Sequence, residues 1–417
     1  MVNVKVYVLN KHGKPLMPCS PRKARLLLKD KKARVIKREP FTIQLVYGSS
    51  GYKQKINLGV DSGYRNIGIS ATTEKEELYA SEVEIRTDIP ENLSSRRELR
   101  RTRRNRKTRY RKPRFKNRNK SKQKGWLAPS IKAKIESHIH VIKDIHKVLP
   151  IYKIIVETAS FDLQKMNNPE ITEKEYQEGV QLGFFNTREY VLFRDEHKCQ
   201  CCKGKSKDKV LEVHHIESRK TGGNAPNNLI TLCKTCHEGY HKGTVELPKK
   251  IRRGMKHNAP AFMGIMRKSL LRELRNIFPN VEETFGYITK DTRIRNNLPK
   301  AHYIDARCIS GYANTLPLGY YFVKKKVRCH NRQLHKLTFL KGGKRKANQL
   351  SYLVYGFRLY DKVLYNGEEW FIWSRRSSGC FVLKNLKTKD TIHRSYKKLK
   401  LLTHSNFYIT KKVFSEE

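Results

Sequence analysis

Acidic residues are scarce in this chain: 38 Asp and Glu stand against 89 Lys and Arg over 417 residues, a formal charge of +51. That imbalance exceeds what solubility requires, and a chain so charged repels itself unless a polyanion neutralises it. Long apolar runs are missing as well. No stretch approaches the roughly 18 residues of a membrane-spanning helix, and the opening MVNVKVYVLN lacks the layout of a signal peptide. Nucleic acid is therefore a better account of the charge than a membrane surface. Cysteines are few and unevenly spread. Of nine, Cys199, Cys202, Cys233 and Cys236 form two CxxC pairs in one short segment, while Cys19, Cys308, Cys329 and Cys380 are scattered. Paired spacing of that kind belongs to metal ligands and not to a disulfide framework, so a reducing compartment follows. Length alone suggests about two to four modules.

The N-terminal segment, residues 1–52, reads as a small α+β unit: a strand in VKVYVL, a basic helix from about Pro21 to Lys29, and strands around Ala33 to Ile36 and Phe41 to Val46. Pro15, Pro18 and Pro21 stop the helix from starting earlier. From Lys53, KQKINLGVDSGYRNIGISAT gives an apolar strand, a carboxylate, a turn and a second strand, and ELYASEVEI a third. A strand buried on both faces that turns sharply after Asp61 presents that carboxylate at a sheet edge. Arg96 to Lys124 holds one acidic residue among more than a dozen basic ones. A helix is allowed there, but its like charges repel at i,i+3 and i,i+4, so phosphate is needed to straighten it. Arg96, Arg97, Arg100, Arg101, Arg103, Arg104, Arg106, Arg109, Arg111 and Arg114 are its candidate phosphate ligands, with Tyr110 and Phe115 as stacking surfaces.

After Gly125 and Pro129 comes an amphipathic helix striped by Ile131, Ile135, Ile139 and Ile142, then a buried strand, IYKIIVET, that ends at Glu157. The polar stretch 163–190 reads as a linker into an inserted module. Beyond the module, AFMGIMRKSLLRELRNIF is expected to be a helix, VEETFGYITKDTRIRNNLPK a strand and basic turn, and AHYIDARCISGYANT a helix that puts His302 and Asp305 on one face at i,i+3. Asp61, Glu157, His302 and Asp305 then form a cluster if the fold gathers them. Clustered anionic oxygens of this kind can hold two Mg²⁺ ions roughly 3.5 to 4 Å apart for phosphodiester hydrolysis, and without a cation they repel. From about Pro317 the chain alternates strand-like runs with basic turns, a mostly β unit in which Arg375, Arg376 and Lys387 are the candidate base or phosphate contacts.

Within the inserted module the two CxxC knuckles, about thirty residues apart, suit a tetrahedral four-thiolate Zn²⁺ site that staples a segment too small for much core. Cys201 competes with Cys202, and the x₂ spacing favours Cys202. Between the knuckles, LEVHHI is a strand carrying adjacent His214 and His215, which must face opposite ways. One can ligate a catalytic Mg²⁺ while its neighbour takes a proton from the attacking water, and His237 can complete the metal site. An ordinary zinc finger with surface histidines is the competing reading, disfavoured because four thiolates already saturate the zinc.

The HHI…N…CxxCH pattern resembles the HNH endonucleases. That resemblance implies His215 as general base, His214 and His237 as metal ligands, and Asn228 as the residue positioning the base-bearing loop, with His241 left outside the catalytic set. On a larger scale, LGVDSGYRNIG, IIVET and HYIDA, with an arginine-rich run in the first gap and an HNH module in the second, resemble the split RuvC-type, RNase H-like domain of the single-effector CRISPR nucleases. The PLMP stretch at Pro15 to Pro18 points to their compact transposon-encoded relative IscB.

The resemblance implies a multidomain α/β fold. Its parts would be an N-terminal PLMP domain (1–52), RuvC segments at 53–92, 125–162 and 251–316, an arginine-rich bridge helix (93–124), a linker (163–190), an HNH domain (191–250), and a C-terminal domain (317–417) that reads a target-adjacent motif and holds RNA. It further implies an RNA-guided double-strand DNA endonuclease whose HNH site cuts the guide-paired strand and whose RuvC site, Asp61, Glu157, His302 and Asp305, cuts the displaced one. Mg²⁺ would serve both sites and Zn²⁺ the HNH module. One protein per guide RNA, a DNA duplex as target, no membrane, and a prokaryotic cytoplasm near the nucleoid complete the expectation. A guide-independent homing or junction-resolving nuclease would need only the two sites, and the surplus of basic segments opposes it. A nucleic-acid-binding protein with vestigial sites is opposed by the complete set of site residues.

Overall fold

The computed structural model describes residues 4–49, 51–105, 126–158, 184–217, 224–248, 258–328, 350–386 and 388–415. The chain forms two compact units, one from Met1–Ser160 with Phe262–Glu417 and the other from Phe161–Ala261. Elements of the first are β1 (Tyr7–Leu9), α1 (Pro21–Lys29), β2 (Ala33–Lys37), β3 (Thr42–Leu45), β4 (Asn57–Ser62), β5 (Asn66–Thr72), β6 (Glu77–Glu84), α2 (Ile89–Asn105), α3 (Pro129–His146) and β7 (Lys153–Thr158). The second unit supplies α4 (Thr187–Arg194), β8 (Leu211–His215), β9 (Leu229–Cys233) and α5 (Lys234–His241). The chain continues with α6 (Asn258–Ile277), β10 (Val281–Phe285), α7 (Gly286–Arg295), α8 (His302–Ile309), β11 (Tyr320–Lys326), β12 (Lys362–Tyr365), β13 (Glu368–Arg375), β14 (Cys380–Lys384), β15 (Thr391–Ser395), β16 (Lys400–Thr403) and β17 (Tyr408–Phe414).

A seven-stranded sheet, ordered β10-β7-β4-β5-β6-β11-β17, carries the first unit. β4, β5 and β6 form an antiparallel meander, and β7 joins β4 in parallel with Asp61 directly opposite Glu157. β10 continues the parallel side. The apolar runs read from sequence are the strands buried on both faces: Leu58, Val60, Ile67 and Ile69 have no exposed surface. α3 buries Ile135, Ile139 and Ile142 in the same core, with Ile131 partly buried against it. The helix and strands expected within residues 1–52 are present, with Ser20 capping α1 through Lys23 N and Pro21 at the first turn.

Five elements differ from expectation. α2 begins at Ile89, seven residues ahead of the arginine run, because Arg86 grips Asp88 with two 2.8 Å hydrogen bonds and Asn92 donates to the same carboxylate, which fixes the helix entrance. α4 begins inside the expected linker, its first turn capped by Asn186 accepting from Glu189 N at 3.0 Å. The expected basic turn after β10 is instead the helix α7. Its β-branched Ile288 and Thr289 are weak helix formers, and burial of Thr289 against Glu157 outweighs that preference. β11 and β17 extend the central sheet, so the C-terminal segment contributes strands at both its ends to that sheet. Between them a five-stranded antiparallel sheet, β15-β14-β13-β12-β16, closes its own core around Val363, Ile372, Phe381 and Leu383.

Arg375, expected as a nucleic-acid contact, is buried and donates to the carbonyls of Tyr352 and Phe357 at 2.7 and 2.6 Å. Its guanidinium holds a loop and is not offered to phosphate. Arg376 is exposed, and Lys387 lies outside the described residues. No described helix is long and apolar enough to cross a membrane.

Candidate active sites

Asp61, Glu157, His302 and Asp305 converge at the C-terminal ends of β4 and β7, two interior strands of the central sheet. The two strands place Asp61 and Glu157 side by side by register. α8 brings the other pair because it lies almost flat on β4 and β5. A Cβ on Gly59 would stand 1.9 Å from the Ala306 carbonyl oxygen, and one on Gly68 the same distance from that of His302, so only glycine permits the approach. The start of α8 is further fixed by His302 N donating to Glu82 Oε1 at 3.0 Å.

His302 Nδ1 lies 2.7 Å from Asp61 Oδ2, and that carboxylate holds the imidazole pKa above its ordinary value. Asn66 Nδ2 lies 3.2 Å from the other ring nitrogen. Burial pushes the Glu157 carboxyl up to about 7, with Asp61 and Asp305 adding repulsion, even though the Thr289 hydroxyl donates to Glu157 Oε2 at 2.5 Å and favours the charged form. Asp305 is also raised, first by burial and then by Asp61. Arg293 Nε pairs with Asp305 Oδ1 at 3.0 Å, off the line of a hydrogen bond, so that this buried oxygen has no hydrogen-bond partner. Three mutually repelling carboxylates, one with an orphaned oxygen, fit a hard divalent cation such as Mg²⁺. Thr289, Arg293 and the fully buried His138, which accompanies Asp61 from α3, were not legible as site residues. Thr289 and Arg293 sit on the helix that sequence reads as a turn.

In the second unit β8 and β9 form an antiparallel ribbon packed on α5. Strand alternation turns His214 toward α5, while His215 lines a cavity of about 600 Å³ together with Asn186, Arg188, Glu212 and Asn224. His214, His237 and His241 bring one ring nitrogen each within 4.8 Å of one another. His237 Nε2 and His241 Nε2 face each other at 3.1 Å, and Glu212 Oε2 orients His237 from its Nδ1 at 2.5 Å. His214 Nε2 is buried with no hydrogen-bond partner, and burial together with the other two rings lowers its pKa to about 4. Three ring nitrogens gathered in this way could hold a metal ion, with His241 as the third member; its i,i+4 spacing from His237 on α5 was the available signal.

His215 Nε2 lies 3.0 Å from Asn224 Oδ1, apart from that cluster. Asn228 accepts from Glu217 N at 2.9 Å and donates to Glu217 O at 3.0 Å, tying down the chain just past His215. Cys199, Cys202, Cys233 and Cys236 likewise gather their sulfurs within 4.8 Å, with Cys202 Sγ 3.8 Å from Cys233 Sγ. Ser206 Oγ, 3.3 Å from Cys202 Sγ, leads the factors that lower its thiol pKa to about 6. Cys201 points instead toward the Glu246 carbonyl at 3.9 Å. The donor set could bind zinc.

Arg96, Arg97, Arg100 and Arg101 are exposed on α2, Arg103 and Arg104 lie on the same helix, and Arg106, Arg109, Arg111 and Arg114 lie outside the described residues.

Two family models match the chain: RRXRR protein over residues 6–179 and HNH endonuclease over residues 199–243. A crystal structure of Streptococcus thermophilus Cas9 in complex with the AGAA PAM is similar at 13% identity and a TM-score of 0.30, over 44% of this chain and 26% of that one. A second, of the same protein in complex with the GGAA PAM, has the same identity and score over 45% and 26%. The similarity thus spans about a quarter of the length of those Cas9 chains. A search of curated proteins found no match. The chain thus carries an arginine-rich RRXRR region and an HNH endonuclease domain, and the second marks it as a nuclease.

Proposed function

We propose that this protein is an RNA-guided double-stranded DNA endonuclease with two active sites, the HNH site cutting the strand paired to the guide and a RuvC-type site cutting the displaced strand. The observation that carries the reading is the convergence of Asp61, Glu157, His302 and Asp305 in the same chain as an HNH domain. The strand order β10-β7-β4-β5-β6, with β5 alone antiparallel to its neighbours, supports an RNase H-like architecture for that site. A charge of +51 and the exposed arginines of α2 support a guide RNA as the polyanion that completes the molecule.

In the RuvC-type site Asp61, Glu157 and Asp305 would hold Mg²⁺, which when bound supplies charge neutralisation at the phosphate and a lower pKa for water. Asp61 keeps His302 oriented and favours its protonated form, which would suit it to donate a proton or bind phosphate. Thr289 holds Glu157 in a single rotamer and favours its ionised form. Arg293 neutralises Asp305 until a cation takes that role. In the HNH site His214, His237 and His241 would hold the divalent ion. His215 faces the open cavity, where it can take a proton from water, and Asn224 fixes its ring. Asn228 keeps the loop behind it rigid.

Strand-resolved cleavage of a labelled duplex in Mg²⁺ by protein carrying its copurified RNA tests this. Asp61→Ala and His215→Ala should each leave a nick, on opposite strands, at the site specified by the guide. Cleavage that ignores the guide or persists after RNA removal would sink the guided reading.

A further inference from the structure

Lys37 on β2 and Lys324 on β11 look into one cavity of the first unit, of about 380 Å³. Four lysines line it, Lys37, Lys147, Lys324 and Lys362, against the carboxylates Glu39 and Asp144. Both carboxylates are already engaged: Asp144 with Lys147 at 2.8 Å and Glu39 with Lys362 at 2.6 Å. Lys37 and Lys324 are left with no carboxylate within ion-pair distance among the described residues. Both are only partly exposed, and burial, then Lys324, lowers the Lys37 amine to about 8. Two like charges held half-buried in one hollow cost stability unless an anion sits between them. Two aromatic residues, Tyr360 and Phe371, also line it, with Lys362 Nζ 5.5 Å from the centre of the Phe371 ring.

We propose that this cavity binds one phosphate-bearing nucleotide, its phosphate between Lys37 and Lys324 and its base against Tyr360 and Phe371. The volume lies within the range of small-ligand sites, and aromatic residues beside cationic ones match the two parts of a nucleotide. Two sources share that chemistry: a nucleotide of a bound RNA, on the guided reading above, and a free nucleoside monophosphate. The site is separate from both nuclease centres, since neither set of site residues lines it.

The test compares the full chain with a K37Q/K324Q variant, which keeps the aliphatic stems and removes the charges. Stripped of nucleic acid at high salt, the variant should melt at a higher temperature than the parent, because mutual repulsion has gone. With RNA it should bind about tenfold more weakly, and the slope of log affinity against log salt should fall by about 0.7 for the one phosphate released. A lower melting temperature would mean that the lysines are structural and would overturn the proposal.

Ultraviolet crosslinking of the protein with its copurified RNA, and calorimetry of the stripped chain with AMP, separate the sources. A crosslink at Tyr360 that disappears in the variant assigns the pocket to RNA. AMP binding lost in the variant, without a crosslink, assigns it to a free nucleotide. Absence of both, or persistence of either in the variant, overturns the proposal. A chain that purifies without RNA yet loses AMP binding in K37Q/K324Q would refute the guided reading and leave the pocket standing.

Discussion

Glu157 shows how much chemistry one neighbour can set. Its carboxyl is held up to about 7 by burial, and Thr289 pulls the other way. Because the charged form is the one a cation needs, nicking that depends on Asp61 should rise through about pH 7 as Glu157 ionises. A cation competes with the proton, so raising Mg²⁺ should move that midpoint down. Thr289→Val removes the hydrogen bond to the charged form and should move it up, measured as the pH profile of displaced-strand nicking at two Mg²⁺ concentrations. The sign for stability is the reverse of an ordinary salt-bridged acid. A carboxyl whose folded pKa is raised loses stability as pH climbs from its unfolded value through about 7, because the folded state keeps a proton that the unfolded chain releases. Through Glu157 and Asp305 the metal-free protein should therefore melt at a lower temperature at pH 7.5 than at pH 5, and Glu157→Gln should flatten that dependence. These residues also mark the limit of legibility. Asp61 and Glu157 were recognisable because each ends an apolar run, whereas Thr289 and Arg293 are ordinary residues in a polar stretch that reads as a turn.

At the scale of elements, the contact between α8 and the β4–β5 pair decides whether a site exists. Gly59 and Gly68 leave no room for a methyl group. Gly68→Ala should push back the start of α8, at a cost of about 1–3 kcal/mol, read by denaturant unfolding, and should abolish displaced-strand nicking while leaving His215-dependent nicking intact. In the second unit the corresponding device is the four-cysteine cluster, which joins β9 and α5 to the knuckle that precedes β8. The core there is small, so Cys202→Ser or strong chelation should unfold the β8–β9–α5 unit and eliminate guide-paired-strand nicking. Cys201→Ser should be nearly neutral, because its sulfur lies outside the cluster. Zinc content and limited proteolysis between residues 184 and 248 would report the difference. The paired spacing made the four thiolates readable in advance. Membership of His241 in the histidine cluster was not, since a histidine one turn past another is as often a surface residue as a ligand.

For the whole molecule the governing quantity is charge. A net charge of +51 destabilises the compact state by self-repulsion, so on the proposed function the melting temperature should rise when RNA is bound. Replacing Arg96, Arg97, Arg100 and Arg101 together by Ala should lower RNA affinity and reduce the salt slope by about 0.7 for each phosphate of single-stranded RNA that is no longer neutralised. A slope unchanged in the quadruple variant would remove the exposed face of α2 from the RNA interface.

Sequence by itself determined the large positive charge, the buried strands of the central sheet, the thiolate spacing and the carboxylates that end apolar runs. Each is a local pattern, written within a few consecutive residues by periodicity, charge or spacing. Tertiary structure alone decided that Asp61 stands opposite Glu157, that α8 lies close enough to bring His302 to 2.7 Å from Asp61, and that Arg375 points inward to carbonyls. It also decided that β11 and β17 complete the central sheet and that Lys37 meets Lys324 in one cavity. Those outcomes depend on register and on packing between segments up to about 290 residues apart. Side-chain identity constrains such distances only through the energy of the assembled core, which no local window of sequence contains.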